Sequence, residues 1–228
     1  ICAYRSAQGA SGMEGATKNP STPLLGERET VHAVAFAVAS VYADETLSGR
    51  ARGVAAEQLP EVLTEAGAGL GNGLRVFLPT ELPPLEDVFA QTAYLIALMK
   101  ERLDLDAATL VSSLVLWERA VRGGVAVTPQ TLRPLLVTAA YVASKQHEDE
   151  ILLSADMSRC LPELALSRLL DMETVFCDLL EWDVMVWPDT WAEYVSGLQA
   201  LLYDSSEVIR VLTARYRVDE VQVHAGLK

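Results

Sequence analysis

Lys145 and Glu173 are the two residues best equipped to grip a partner. Each is a charge set in a strongly apolar segment, where an ionised group is costly without company. Lys145 closes the run Leu-Leu-Val-Thr-Ala-Ala-Tyr-Val-Ala-Ser-Lys over 135–145, and Glu173 lies within the apolar stretch 169–182. Neither has an obvious opposite charge three or four positions away within its own predicted helix. An ammonium and a carboxylate at the rims of two apolar helices can clamp another backbone, the first donating to carbonyls and the second accepting from N–H groups. On residue grounds alone two blander roles stay open. Lys145 suits a helix C-terminus, where its charge favours the dipole. Glu173 fits a solvated acidic stripe with Asp171 and Asp178.

The elements that must position this pair are helices. Apolar spacing and turn residues predict five, at about 85–101, 107–121, 131–146, 163–181 and 189–202. Pro134 and Pro162 fall in first helical turns, where a missing N–H costs little. Gly123-Gly124 ends the second helix. Upstream, Thr30 can cap a helix running to about Asp44, nearly continuous in apolar residues and so buried on more than one side. Gln58 to Ala66 forms a short helix, and the Gly-dense stretch 67–73 is a connector. That stretch is no phosphate loop, because no Lys-Ser/Thr follows and no strand precedes it. Residues 1–28, rich in Gly, Ser, Ala, Thr and Pro, read as a flexible tail, with Thr22-Pro23 a possible phosphorylation dipeptide. A last helix near 205–216 packs outside. Short loops between long apolar helices imply an all-α bundle.

Composition narrows the function. The 228 residues are 50% hydrophobic with only 7% aromatics, a Leu/Ala/Val mix that favours helices. The net charge of −13 argues against nucleic acid, since no basic stripe exists to neutralise phosphates. Cys2, Cys160 and Cys177 are widely spaced with no Cys-x-x-Cys, which fits a reduced intracellular compartment, cytoplasm or nucleus. Cys177 falls on an apolar face and reads as a small core residue. No segment reaches membrane-spanning length. The chain opens on Ile1, so membrane association would need a lipid on a missing N-terminus. His147 with Glu148, Asp149 and Glu150 matches no zinc or calcium spacing and reads as a solvated helix end. No nucleophile set and no cofactor fingerprint stands out. The expectation is a protein without catalysis or cofactor of its own.

The ordered motifs also resemble a cyclin box. Ala143-Ser144-Lys145, the acidic Glu148-Asp149, and Met172-Glu173 leading into Leu179-Leu180-Glu181-Trp182-Asp183-Val184 follow the family's order. Leu116-Trp117-Glu118-Arg119 is similar to its second-helix signature, and Trp187-Pro188-Asp189-Thr190-Trp191 to the lead-in of its fifth helix. The likeness is to the single-box group that includes cyclin Y and the P/U-type cyclins, and it covers about 84–202, with 30–45 resembling the helix that precedes the box.

The resemblance implies a fold and a partner. The fold is a five-helix cyclin box over 84–202, with an N-terminal helical extension over 29–83 and a C-terminal helix and tail over 203–228. Only 26 residues follow Leu202, too few for a second box. The implied partner is a cyclin-dependent kinase, whose αC helix Lys145 and Glu173 would grip. Leu132 and Leu135 would supply apolar area, and Glu148 and Asp149 would face a basic part of the kinase. Glu118 and Arg119 would be structural, the family's acidic residue here pairing with an Arg of the first box helix; that Arg has no clear counterpart in this chain, and Lys100, Arg102 and Arg119 are the candidates for its role. The Met-Arg-Ala-Ile-Leu docking motif of S-phase cyclins is absent near 88–98, so substrate recruitment by that route is not implied. The other reading is a cyclin-fold scaffold that docks proteins without activating a kinase.

Overall fold

A helix with almost no polar face must be wrapped on all sides, and the first helix of this chain is. The computed structural model describes residues 25–47, 61–64, 85–147 and 164–216. Among these, α1 (Glu27–Leu47) buries every residue from Ala33 to Ala39. It lies along α2 (Leu85–Leu103) and also touches the third and sixth helices, so it shares their core. Lys100 Nζ meets Glu27 Oε2 at 2.8 Å, and Phe36 meets Phe89 edge-on with centroids 6.2 Å apart. Early residues of one helix pair with late residues of the other, so the two run antiparallel. Of the tail expected over 1–28, Glu27 and Arg28 are helical, and 1–24 lie outside the described residues. Thr30 is not the cap. Gly26 holds that place, Glu29 reaches back to its amide at 3.0 Å in half of a capping box, and the Thr30 hydroxyl donates to the Gly26 carbonyl.

α3 (Ala107–Arg122) starts on Asp106, whose Oδ1 accepts from the Thr109 amide at 2.6 Å. It stops at Gly123-Gly124. Gly124 takes φ +102, and the Val125 amide reaches back to the Ala120 carbonyl, closing a Schellman turn that only glycine enters without strain. The same closure ends α2 at Asp104 (φ 53), where the Leu105 amide reaches the Lys100 carbonyl.

α4 (Leu132–His147) is the central rod, buried from Thr131 to Ser144 and packed on α3 and α5 (Leu166–Leu179). Its polar residues stay inside because their hydroxyls find carbonyls. Thr131 Oγ1 donates to Ala126, Thr138 to Pro134 and Ser144 to Tyr141, at 2.7–2.8 Å. A 3-10 turn at Glu61–Leu63 buries Leu63 against α5. It is all that is described of the expected 58–66 helix. α6 (Pro188–Asp204) packs on α3 and α1, and α7 (Ser206–Tyr216) on α2 and α6. The described residues are all-helical, and none of their helices is long and apolar enough to cross a membrane. The Gly-dense connector, Thr22-Pro23 and Pro162 lie outside the described residues.

Candidate functional site

α4 and α5 are apolar along their shared seam, and their polar residues emerge where the seam reaches water. Lys145 follows the last fully buried turn of α4. Glu173 sits at the edge of the buried stripe of α5 formed by Leu169, Met172 and Phe176. The structure brings the two together: Lys145 Nζ lies 2.5 Å from Glu173 Oε1, with side chains 31% and 22% exposed. The ammonium also stands 4.4 Å from the centre of the Tyr141 ring, one turn back on α4. Burial works against the charge on Lys145, but the bond to Glu173 and the contact with Tyr141 outweigh it and raise its pKa above the ordinary lysine range. Beneath them, burial pushes the Cys177 thiol up and the Glu173 carboxylate adds to the rise, while Lys145 partly offsets it. Cys177 is a buried residue.

The acidic stripe is a different face. Asp171 and Asp178, seven residues apart, share an exposed line, while Glu173 stands about 200° around the helix from Asp171. One flank of Glu173 is apolar and open. Leu170 and Leu166, one and two turns earlier on α5, are 45% and 42% exposed. The sequence pointed instead to Leu132 and Leu135 for this area. Both are core residues, 2% and 0% exposed, and present no surface to a partner. Only the resemblance points to them, and α4 is buried on all sides along that stretch. Glu148 and Asp149 lie outside the described residues.

Glu118 and Arg119 hold the frame. Glu118 is buried, and its carboxylate accepts from the Tyr194 hydroxyl at 2.7 Å and from Arg122 Nη2 at 2.6 Å. Burial alone would raise its pKa; these two donors outweigh that and hold it below the usual glutamate range. Arg122, four residues on along the same helix, is a base on Glu118 that the resemblance did not name. Lys100 is engaged by Glu27. Arg119 turns the other way. Its Nη1 donates to the carbonyls of Asp183 and Met185 at 2.8 and 2.9 Å, pinning the connection between α5 and α6. Gln146, next to Lys145, donates to the carbonyl between them, Val184, at 2.7 Å. The i, i+4 spacing of Glu118 and Arg122 was a readable signal for that pair; the roles of Gln146 and Tyr194 had none.

Among the described residues no three His, Cys, Asp or Glu side chains gather to hold a metal ion. What the site presents is one ammonium and one carboxylate, bonded to each other, beside two exposed leucines. A partly exposed ion pair of this kind is worth about 1 kcal/mol or less. A partner offering competing carbonyls and amides can therefore open it cheaply. No family model, no curated protein and no solved structure matches the chain.

Proposed function

We propose that this protein is a cyclin-fold regulatory subunit, with α2–α6 as its five-helix box, that binds a cyclin-dependent kinase and holds the kinase αC helix in its active position. The single observation that supports this most is the pairing of Lys145 and Glu173, from separate helices, at an apolar rim. In the free protein the two charges satisfy each other. On binding, Lys145 donates to carbonyls of the αC segment and Glu173 accepts from its amides.

Magnitudes say what else is needed. Moving a two-state helix from mostly inactive to mostly active takes a differential affinity of about 5.5 kcal/mol. An exchanged ion pair supplies little of that, because one pair replaces another. Apolar burial of roughly 220 Å² would supply it at about 25 cal/mol per Å². Leu166 and Leu170, on the Glu173 side of α5, are placed to contribute. A rigid bundle that fits only the inward αC position then shifts the equilibrium by that difference, and the αC glutamate meets the β3 lysine for phosphoryl transfer.

The test is a charge exchange, Lys145→Glu with Glu173→Lys in one chain. It keeps an ion pair inside this protein and reverses its polarity toward any partner backbone. Purified protein is titrated into a panel of monomeric cyclin-dependent kinases while phosphorylation of a peptide substrate is followed. The expected result is that the unaltered chain stimulates at least one kinase, and the exchanged chain stimulates none while melting within a few degrees of it. Equal stimulation by both chains, or no response from any kinase, defeats the reading.

A further inference from the structure

The connection from α5 to α6 carries a second surface that the kinase reading does not use. Residues 178–193 contain five carboxylates, Asp178, Glu181, Asp183, Asp189 and Glu193, and no Lys or Arg. All five are exposed. Among them stand Trp182 and Trp187, each 64% exposed, and Met185 at 51%.

These side chains are held out by construction of the backbone. Over 183–187 the side chains alternate in exposure, and Trp187 at the end of the segment is extended (φ −70, ψ 148). Val184 and Val186 turn inward, half-buried and buried, which leaves Asp183, Met185 and Trp187 outward. Arg119 and Gln146 fix this register by taking three consecutive carbonyls. At the head of the segment, Trp182 lies at φ 61 and donates from Nε1 to Asp178 Oδ1 at 2.9 Å. An exposed pair of indoles held by a pinned backbone loses little freedom when a ligand arrives.

The charge decides the occupant. A second copy of a chain with net charge −13 is repelled, as is an anionic membrane. A purely apolar peptide would strand the carboxylates without water. A guanidinium satisfies both halves of the surface, because its face stacks on an indole while its edge forks onto a carboxylate. We propose that the 178–193 face docks an arginine-rich peptide segment of a partner protein. It does not use the Lys145–Glu173 pair, and no kinase enters its test.

The probe is a fluorescein-labelled Ala-Arg-Ala-Arg-Arg-Ala peptide, titrated with the full chain at about 150 mM salt and read by anisotropy. Saturable binding is expected, with Trp182→Ala and Trp187→Ala each weakening it about fivefold or more. Asp189→Asn weakens it as well. Tyr203→Ala, which removes an aromatic 84% exposed on α6 outside this segment, leaves it unchanged. The lysine version of the peptide binds less tightly. Far-UV circular dichroism confirms that the variants fold. Absence of saturable binding overturns the proposal. So does equal binding by both Trp variants, or equal affinity for the lysine peptide, either of which marks general attraction to an acidic chain. Concentration-dependent dimers that bury the two indoles, or binding to phosphatidylserine vesicles in their place, would also overturn it.

Discussion

Replacing Glu118 with Ala tests the energetic centre of the bundle. The carboxylate joins α3 to α6 through the Tyr194 hydroxyl and closes on Arg122. A hydrogen bond to a charged group contributes about 1.5–3 kcal/mol net. The Tyr194 bond is buried and takes that full range. The Arg122 side chain is 49% exposed, so its contribution is discounted to about 1 kcal/mol or less. The sum predicts that Glu118→Ala costs about 3 kcal/mol, or about 6–12 °C in melting temperature for a chain this size. Tyr194→Phe should cost more than Arg122→Ala, because only the tyrosine bond is shielded from water. Urea unfolding followed at 222 nm gives each value, and a double-mutant cycle isolates each pair. The glutamate–tyrosine coupling should exceed the glutamate–arginine coupling. The reverse order, or a glutamate–tyrosine coupling near zero, refutes the assignment. The same group sets an acid dependence. Its pKa is depressed in the folded state, so its stabilisation is present at neutral pH and is lost as pH falls through that depressed value. Stability curves of Glu118→Ala should be flatter over that acid window.

Other perturbations have simpler expectations. Asp106→Ala removes the α3 cap and should cost about 1 kcal/mol by urea titration, with Asp106→Asn nearly neutral. Glu181 holds φ 51 where α5 closes, so Glu181→Gly should stabilise the protein by up to about 1 kcal/mol in the same assay, and a loss would show that strain there is negligible. Arg119→Ala releases two carbonyls of the 183–187 segment and should speed proteolytic cleavage there without lowering helix content. The raised pKa of Lys145 places its contribution at neutral pH, with loss only as pH climbs past the ordinary lysine range; Lys145→Met should remove that alkaline slope.

Much of the helical framework was readable because its punctuation is local. The starts of α2 at Leu85 and α3 at Ala107 follow turn residues and an aspartate cap, and Gly124 supplies the stop of α3. The α1 start was misplaced by Thr30, a good cap by type, because the glycine–glutamate half-box four residues earlier is a weaker pattern. Surface and core were harder to separate. On α4 there is no polar face to orient the helix, so Leu132 and Leu135 could not be told from partner-facing leucines. The closure of α5 at Glu181 and Trp182 is also hidden, since neither residue type announces a left-handed backbone. The meeting of Lys145 with Glu173 depends on the crossing of two helices, which spacing along the chain does not encode.

The wrapping of α1 sets a problem of timing for synthesis. This helix leaves the ribosome before the helices that wrap it, and its main partner is complete only after Leu103. At roughly 5–20 residues per second, the interval from Leu47 to Leu103 lasts several seconds. Throughout it, a rod whose middle has no wet side stands uncovered. Nascent chains stalled between those points should be captured by holdase chaperones, and chains stalled beyond α3 should be released from them.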